Sequence, residues 1–295
     1  MAAFREHGLL PILTFHHFTN PGWVAERGGW ENAQTAELFA RFCGVVAERL
    51  AHLLALAITI NEPNIPALLG YENGIFPPGK QDRASRLRVT DVFIDGHRRA
   101  VQAIRTVCPQ LPVGLALAMA DWQALPGGER ELEETRRLRE DVFLEATIGD
   151  DFVGVNTYTR HRIEPQGWVS NETGVELTAA GYEFWPEALE GALRRAWDRT
   201  TGGSPLIVTE SGIATDDDAR RIEYIDRSVA AMQRAIAAGV DVRGFIYWSA
   251  LDNFEWQCGY AQRFGLIAVD RHTQERSIKP SGWHLGKLAR ALAQH

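Results

Sequence analysis

Leu53-Leu-Ala-Leu-Ala-Ile-Thr-Ile-Asn-Glu-Pro63 and Pro205-Leu-Ile-Val-Thr-Glu-Ser-Gly212 decide the reading of this chain. Each is an apolar run of strand length that stops at a glutamate, Glu62 in the first and Glu210 in the second. Neither alternates strictly between apolar and polar, the pattern of a strand buried on both faces, as in a parallel sheet wrapped by helices. In a β/α barrel the working side chains stand where strands run out into loops at the C-terminal face. Two carboxylates placed there form the pair that cleavage of a glycosidic bond requires.

Four further runs read as strands: Leu10 to Phe18, Val113 to Met119, Phe152 to Tyr158 and Arg243 to Ser249, beside Ala55 to Asn61 and Leu206 to Glu210. Between them the apolar spacing predicts amphipathic helices over Ala33 to His52, Ser85 to Val107, Glu129 to Glu145, Glu187 to Thr200 and Asp217 to Ala238, with a last helix after Pro280. The expected fold is α/β, a TIM (β/α)8-type barrel with six recognisable strands, incomplete at the N-terminus because a closed barrel of this type needs eight. No linker, repeat or low-complexity tract interrupts the 295 residues, so a single domain over 1–295 is expected. The strand ends carry the polar groups: Thr14, His16, His17 and Thr19 on the first, Asn61 and Glu62 on the second, and Asp121 and Trp122 after the third. Asn156 and Tyr158 end the fourth, Glu210 the fifth, and Trp248, Asp252 and Glu255 follow the sixth.

The composition, 45% apolar and 23% charged, is globular. A net charge of −7 with basic residues dispersed along the chain predicts no nucleic-acid partner. The three cysteines, Cys43, Cys108 and Cys258, are isolated, which argues against a disulfide framework or zinc site and suits a reducing cytosol. The first residues lack the apolar core of a signal peptide, and the longest apolar run is too short to span a bilayer. A cytoplasmic protein without membrane contact is expected.

Each motif has a plain alternative. Asn61-Glu62-Pro63 also reads as a helix start, and Glu210 before Ser-Gly as a solvated turn. His16 and His17 point to opposite faces of a strand and do not share a metal easily; one is expected to face a ligand and the other to pack outside. Asp216-Asp-Asp218 reads as a helix N-terminus rather than a calcium loop. Tyr158 is either core or the hydroxyl that orients a carboxylate and keeps it ionised. Trp248 and Trp256 flank Asp252-Asn-Phe-Glu255, a mixture suited to the apolar face and the hydroxyls of a sugar.

These residues, in order, resemble glycoside hydrolase family 1, the β-glucosidase family: Thr14-Phe-His-His-Phe-Thr-Asn-Pro21, Asn61-Glu-Pro-Asn64, Gly154-Val-Asn-Thr-Tyr-Thr159, Thr209-Glu-Ser-Gly212, Tyr247-Trp-Ser-Ala-Leu-Asp-Asn-Phe-Glu-Trp256 and Arg263-Phe-Gly265. The resemblance implies that Glu62 is the acid/base, Glu210 the nucleophile, and Asn61 the partner of the sugar 2-hydroxyl. It implies that Asn156 and Tyr158 stand beside the nucleophile, that His17 and Glu255 hold the glycone, and that Trp248 lies under the ring. Trp256, Phe264 and Tyr182 match further subsite residues. It also implies an unphosphorylated β-glycoside or oligosaccharide as substrate, retention of configuration, and no metal or organic cofactor. Glu62 then needs a raised pKa while Glu210 stays ionised.

The departures are specific. Ser211 replaces Asn beside the nucleophile, Phe18 and Tyr182 replace Trp, and the stretch from Asp121 to Asp151 is shortened. Strands one and two of the family are missing, and with them a glycone-binding Gln and an Arg that keeps the nucleophile ionised. The alternative function is therefore a truncated, weakly active or inactive barrel that binds sugar without cleaving it. Uncovered edges on the first and last strands would favour a homo-oligomer; a third alternative is that the chain is a fragment of a longer protein.

Overall fold

Six strands form one sheet in the order β1-β2-β3-β5-β8-β9: β1 Ile12–His17, β2 Leu56–Asn61, β3 Val113–Ala118, β5 Phe152–Asn156, β8 Leu206–Ser211 and β9 Val242–Tyr247. The computed structural model describes residues 2–169, 171 and 174–292. β1 with β2 and β2 with β3 pair in parallel, His17 lying opposite Asn61 and Asn61 opposite Ala116. Further along, Val153 donates its N–H to Pro205 and Thr157 to Glu210, so these segments also advance together. All six runs expected from sequence are strands, with ends that differ from the expected ones by at most two residues; β8 runs one residue past Glu210 and β9 starts one residue earlier, at Val242. The residues trimmed from the C-terminal ends of β3 and β5 belong to the loops that leave the sheet.

Burial follows position in the sheet. β2, β3, β5 and β8 are buried almost throughout. β1 and β9, at the two ends of the strand order, are largely half-exposed. Apolar runs without alternation thus mark the inner strands, as the sequence pattern implies.

The chain divides into two compact units. The first comprises Met1–Ala118, Arg136–Val155 and Ala196–Ile207. In it the helices Gln34–Leu50 and Arg83–Val107 pack on each other, and Arg83–Val107 also packs on β2 and β3. Asp82 caps Arg83–Val107 by accepting from the backbone N–H groups of Ala84 and Ser85. Ile58, Ala116, Phe152 and Ile207 form a core cluster between strands. A second core is aromatic: Trp30 stacks on Phe93 at 4.3 Å and meets Phe39 edge-on. A Cβ at Gly96 would lie 2.9 Å from the Trp30 ring, so only glycine lets the helix approach this closely. Deeper still, Thr59 and Asp150 bracket His97, with 2.8 Å from the Thr59 hydroxyl to Nδ1 and 3.0 Å from Nε2 to the Asp150 carboxylate.

The second unit comprises Met119–Thr135, Asn156–Arg195 and Val208–His295. It holds a small sheet that the sequence reading missed: β4 Asp121–Ala124, β6 Arg160–Glu164 and β7 Gly167–Val169, in the order β4-β6-β7. β4 and β6 are parallel, and β6 and β7 form a hairpin. These strands are short, β6 is mostly charged, and β4 and β6 follow β3 and β5 after gaps of only two and three residues, so apolar periodicity does not reveal them. A second hairpin pairs β10 Ile267–Val269 with β11 Arg276–Ile278. Asp217 caps the helix Asp218–Ala237, as the Asp216–Asp218 run predicts. Asp218 also accepts from the backbone and hydroxyl of Ser281, tying that helix to Pro280–Leu292.

The helix expected over Glu129 to Glu145 is interrupted. It is α-helical over Glu129–Arg136, widens to a π-helical turn over Arg137–Asp141, and resumes as Val142–Ala146. The wider turn inserts a residue and rotates the face, which buries Glu140 and Asp141. The Arg199 Nε lies 3.3 Å from the Asp141 carboxylate. Among the described residues, no helix is long and apolar enough to cross a membrane.

Candidate active site

In the first unit the functional candidates gather at the end of β2. A register shift between Ile58 and Asn61 breaks the regular pairing with β3, and bulges of this kind re-aim the side chains that follow. Glu62 comes next, with φ +47°, a left-handed conformation that is uncommon for any residue but glycine. Such a conformation costs on the order of 1–3 kcal/mol and persists only where surrounding contacts impose it. Here Glu62 donates its N–H to the Ala116 carbonyl at 2.7 Å, and its own carbonyl accepts from Ile65. Asn64 locks the turn by donating from Nδ2 to the carbonyls of Ala118 and Arg139, at 2.8 and 3.0 Å. Pro63 then leads into the helical turn Asn64–Pro66, so the helix-start reading of Asn-Glu-Pro also holds. Glu62 is 8% exposed.

The two histidines of β1 divide as strand geometry requires. His16 is buried against Trp30, Phe39 and Phe93, with Nε2 at 3.3 Å from the Trp30 indole N–H and 3.2 Å from Asn20 Oδ1. His17 points the other way. The Asn61 Nδ2 lies 3.2 Å from its Nε2, joining two neighbouring strand ends. Burial lowers the pKa of each ring to about 4, so both are neutral near pH 7. A neutral His17 accepts from Asn61 at Nε2 and keeps its proton on Nδ1.

In the second unit the candidates gather at the end of β8. Glu210, also 8% exposed, accepts the Tyr158 hydroxyl proton at Oε2, 2.7 Å away. The Glu210 carbonyl accepts from the Thr157 N–H. Thr209 donates its hydroxyl to Asn156 Oδ1 at 2.5 Å, which sets the orientation of that amide. Tyr158 is held in turn: its carbonyl accepts from the Tyr224 hydroxyl at 3.1 Å, and its ring lies 6.0 Å from Phe264 and 6.2 Å from Tyr182. Phe264 is buried, whereas Tyr182 is exposed.

Gly212, two residues after Glu210, lets the chain at the end of β9 approach closely. A Cβ there would fall 2.0 Å from the Trp248 carbonyl oxygen. The Trp248 N–H donates to the Ser211 carbonyl, and the Trp248–Ser249 peptide is cis. In the following loop Asn253 donates from Nδ2 to Glu255 Oε2 at 2.8 Å, and Trp256 has φ +44°.

Asp252, one of the polar strand-end residues, has a structural role. Its Oδ1 accepts from the Gly265 N–H and from the Lys279 ammonium, each at 2.9 Å. Asp121 is likewise engaged within the small sheet, accepting from Gln123 Nε2 at 2.6 Å. The sequence reading passed over Thr209 and Tyr224 as contributors; Thr209 adjoins Glu210, but Tyr224 lies in a helix with no local signal. Among the described residues, no group of three or more His, Cys, Asp or Glu is arranged to hold a metal ion.

The sequence profile described as "Glycosyl hydrolase family 1" matches residues 1–170 and 145–292. The chain is 32% identical to a β-galactosidase of Saccharolobus solfataricus over 94% of its own length and 66% of the relative's. It is 28% identical to β-glucosidase A of Thermotoga maritima, covering 94% of this chain and 73% of that one. Among solved structures, a crystal structure of a β-glycosidase superposes with TM-score 0.90 at 42% identity, over 99% of this chain and 75% of the other. The chain thus spans about two thirds to three quarters of the length of these relatives. The likeness fixes the fold class as that of the β/α-barrel glycosidases, a family of O-glycosyl hydrolases, with six strands of the barrel sheet present here. The chain belongs to glycosyl hydrolase family 1.

Proposed function

We propose that this protein is a retaining β-glycosidase that hydrolyses terminal, unphosphorylated β-D-glycosides, with glucosides as the first class to try and galactosides and fucosides next. The observation that carries the reading is the 2.7 Å hydrogen bond from Tyr158 to Glu210. A donated hydrogen bond favours the ionised carboxylate, and an ionised, oriented carboxylate at a strand end is what a glycosyl nucleophile has to be. Family membership and the position of Glu62 at the end of β2 supply the second carboxyl group.

In the first step Glu210 forms a bond to the anomeric carbon as the glycosidic C–O bond breaks, and Glu62 gives its proton to the departing oxygen. In the second, Glu62 takes a proton from water, whose oxygen displaces Glu210 and regenerates both groups. The reading expects the two carboxyl groups to be about 5–5.5 Å apart, the spacing of retaining enzymes. His17, Asn61, Asn156, Trp248 and Glu255 hold the glycone in this scheme, and Tyr182, Trp256 and Phe264 line its surroundings. The chemistry calls for no metal or cofactor. Glu210→Gly should abolish release of a chromogenic aglycone from an aryl β-glucoside; undiminished turnover sinks the assignment.

A second reading rests on the half-exposed strands β1 and β9. Strand edges in this state pair with other chains or aggregate, and the chain then acts as a sugar binder of low activity or as a homo-oligomer. Sedimentation over a concentration series separates the two. A monomer that turns over aryl β-glucoside removes the second reading. The isolated cysteines, with Cys43 buried and its thiol pKa pushed up, fit a cytoplasmic setting.

A further inference from the structure

The strand that carries Glu62 holds one residue too many for its neighbour. Ile58 pairs with Gly114 and Asn61 with Ala116, so three steps along β2 match two along β3. Toward β1 the register runs evenly, with Thr14 opposite Ile58, His16 opposite Ile60 and His17 opposite Asn61. The bulge is therefore taken up on the β3 side alone. A bulge leaves its extra residue outside the ladder, so backbone pairing by itself does not hold β2 in this register.

Thr59 sits inside that interval and is fully buried. Its hydroxyl reaches the Gly114 carbonyl at 3.3 Å, a side-chain bond to β3 where the ladder is disrupted. The same oxygen lies 2.8 Å from Nδ1 of His97, in the helix Arg83–Val107, and His97 Nε2 lies 3.0 Å from the Asp150 carboxylate. Asp150 is anchored in turn: its carbonyl accepts the Ser204 hydroxyl at 2.8 Å, and its N–H donates to Thr147. All of these residues belong to the first unit, as Glu62 does. Burying three polar side chains together has a desolvation cost that an apolar trio of the same volume would avoid. The polar set adds direction, because hydrogen bonds constrain both distance and angle.

We infer that Asp150, His97 and Thr59 form a positioning relay that pins the β2 bulge and thereby sets the direction of the Glu62 carboxyl group. Thr59 has one hydroxyl hydrogen. Given to the Gly114 carbonyl, it leaves Oγ1 to accept from Nδ1–H of His97, while Asp150 holds the other ring nitrogen. Three residues further on, the Glu62 N–H reaches the Ala116 carbonyl at 2.7 Å. Asn64 secures the turn from its far side, and the relay secures the approach to it. The three residues act through Glu62 and not on the substrate. Their effect on rate rests on the glycosidase reading of Glu62; their effect on the strand does not.

The full chain is compared with Thr59→Val, which keeps the branched shape and removes the hydroxyl, and with Thr59→Ser, which restores it. Thr59→Val should lower kcat/KM for phenyl β-glucoside roughly ten- to a hundredfold, the scale of a misplaced general acid. It should leave kcat/KM for dinitrophenyl β-glucoside, whose leaving group needs no proton, nearly unchanged. Thr59→Ser should recover most of the loss, and His97→Leu should reproduce the split between substrates. An equal loss for both substrates, or one that follows a fall in thermal midpoint, marks a purely structural contact and overturns the relay. Thr59→Val decides if His97→Leu does not fold. Glu62→Gln, run beside them, tells the two readings apart. If it splits the substrates and Thr59→Val does not, the acid stands and the relay falls. If Glu62→Gln shows no split, or the chain lacks turnover, the acid role fails and amide hydrogen exchange decides the relay. Thr59→Val should then speed exchange of the Glu62 N–H roughly three- to tenfold. Exchange of the Ala57 N–H, bonded to the Pro112 carbonyl near the start of β2, should stay as in the wild type. An equal change at both amides, or none at either, overturns the relay.

Discussion

Tyr158 donates its phenolic hydrogen to Oε2 of Glu210 across 2.7 Å, linking residues 52 positions apart. The phenol is itself fixed, through its backbone carbonyl by Tyr224 and through its ring by Phe264. Hydrogen bonds to charged groups contribute about 1.5–3 kcal/mol. Tyr158→Phe should therefore lower kcat/KM for an aryl β-glucoside roughly ten- to a hundredfold, with less effect on the thermal midpoint. Because the bond favours the carboxylate, its loss raises the Glu210 pKa. The acid limb of the pH–rate profile should move to higher pH. An unmoved limb counts against the assignment of Glu210.

Glu62 is held in a left-handed turn at the end of β2, and the proposed chemistry uses it twice, as acid and then as base. Glu62→Gln keeps the shape and removes the proton. For a poor leaving group the loss should be about 10²–10⁴-fold, the usual worth of general acid catalysis. For dinitrophenyl β-glucoside, whose leaving group needs no proton, bond cleavage should persist and the glycosyl-enzyme should accumulate as a burst. Equal losses for both substrates would exclude Glu62 as the acid.

His16 is 7% exposed, and burial is the main reason its pKa lies at about 4 instead of 6.5. The unfolded chain binds a proton at this site before the folded one does, so the neutral ring stabilises the fold above pH 6.5. That contribution is lost as pH falls from 6.5 toward 4, with a ceiling of about 3 kcal/mol. His17 has the same sign and window. Asp150 acts in the opposite sense, since burial raises its carboxyl pKa and protonation then favours the fold. Urea unfolding of the wild type and His16→Gln at a series of pH values isolates the histidine. The difference between the two should shrink as pH drops from 6.5 to 4, and a constant difference refutes it.

Ile246, 39% exposed on β9, marks an edge that the sheet leaves half-covered. Charged residues on edge strands suppress pairing between chains. Ile246→Lys should reduce self-association at micromolar concentration in sedimentation velocity and leave the circular-dichroism spectrum intact. An identical distribution of species for both proteins rules out this edge as the contact.

The six sheet strands were legible because an inner parallel strand must be apolar on both faces, and that constraint is written locally. Asp217 as a cap and the His16/His17 division are local as well, following from side chains near their own backbone and from the two-residue period of a strand. Charged strands are harder to read. Arg160-His-Arg-Ile-Glu164 became β6 because β4 and β7 were there to pair with it. In the turn at Arg137–Asp141, Asp141 meets a partner distant in the chain, Arg199.

By itself, then, the sequence determined the alternation of strands and helices and where the two carboxylates fall along it, because burial on both faces and helix periodicity act within a few residues. Tertiary structure alone decided which polar groups serve the fold and which stand at the candidate site. Asp252 is taken up by Gly265 and Lys279, whereas Glu210 receives Tyr158. The reason is physical: a hydrogen bond is satisfied by whichever group folding brings within about 3 Å, and chain distance does not enter.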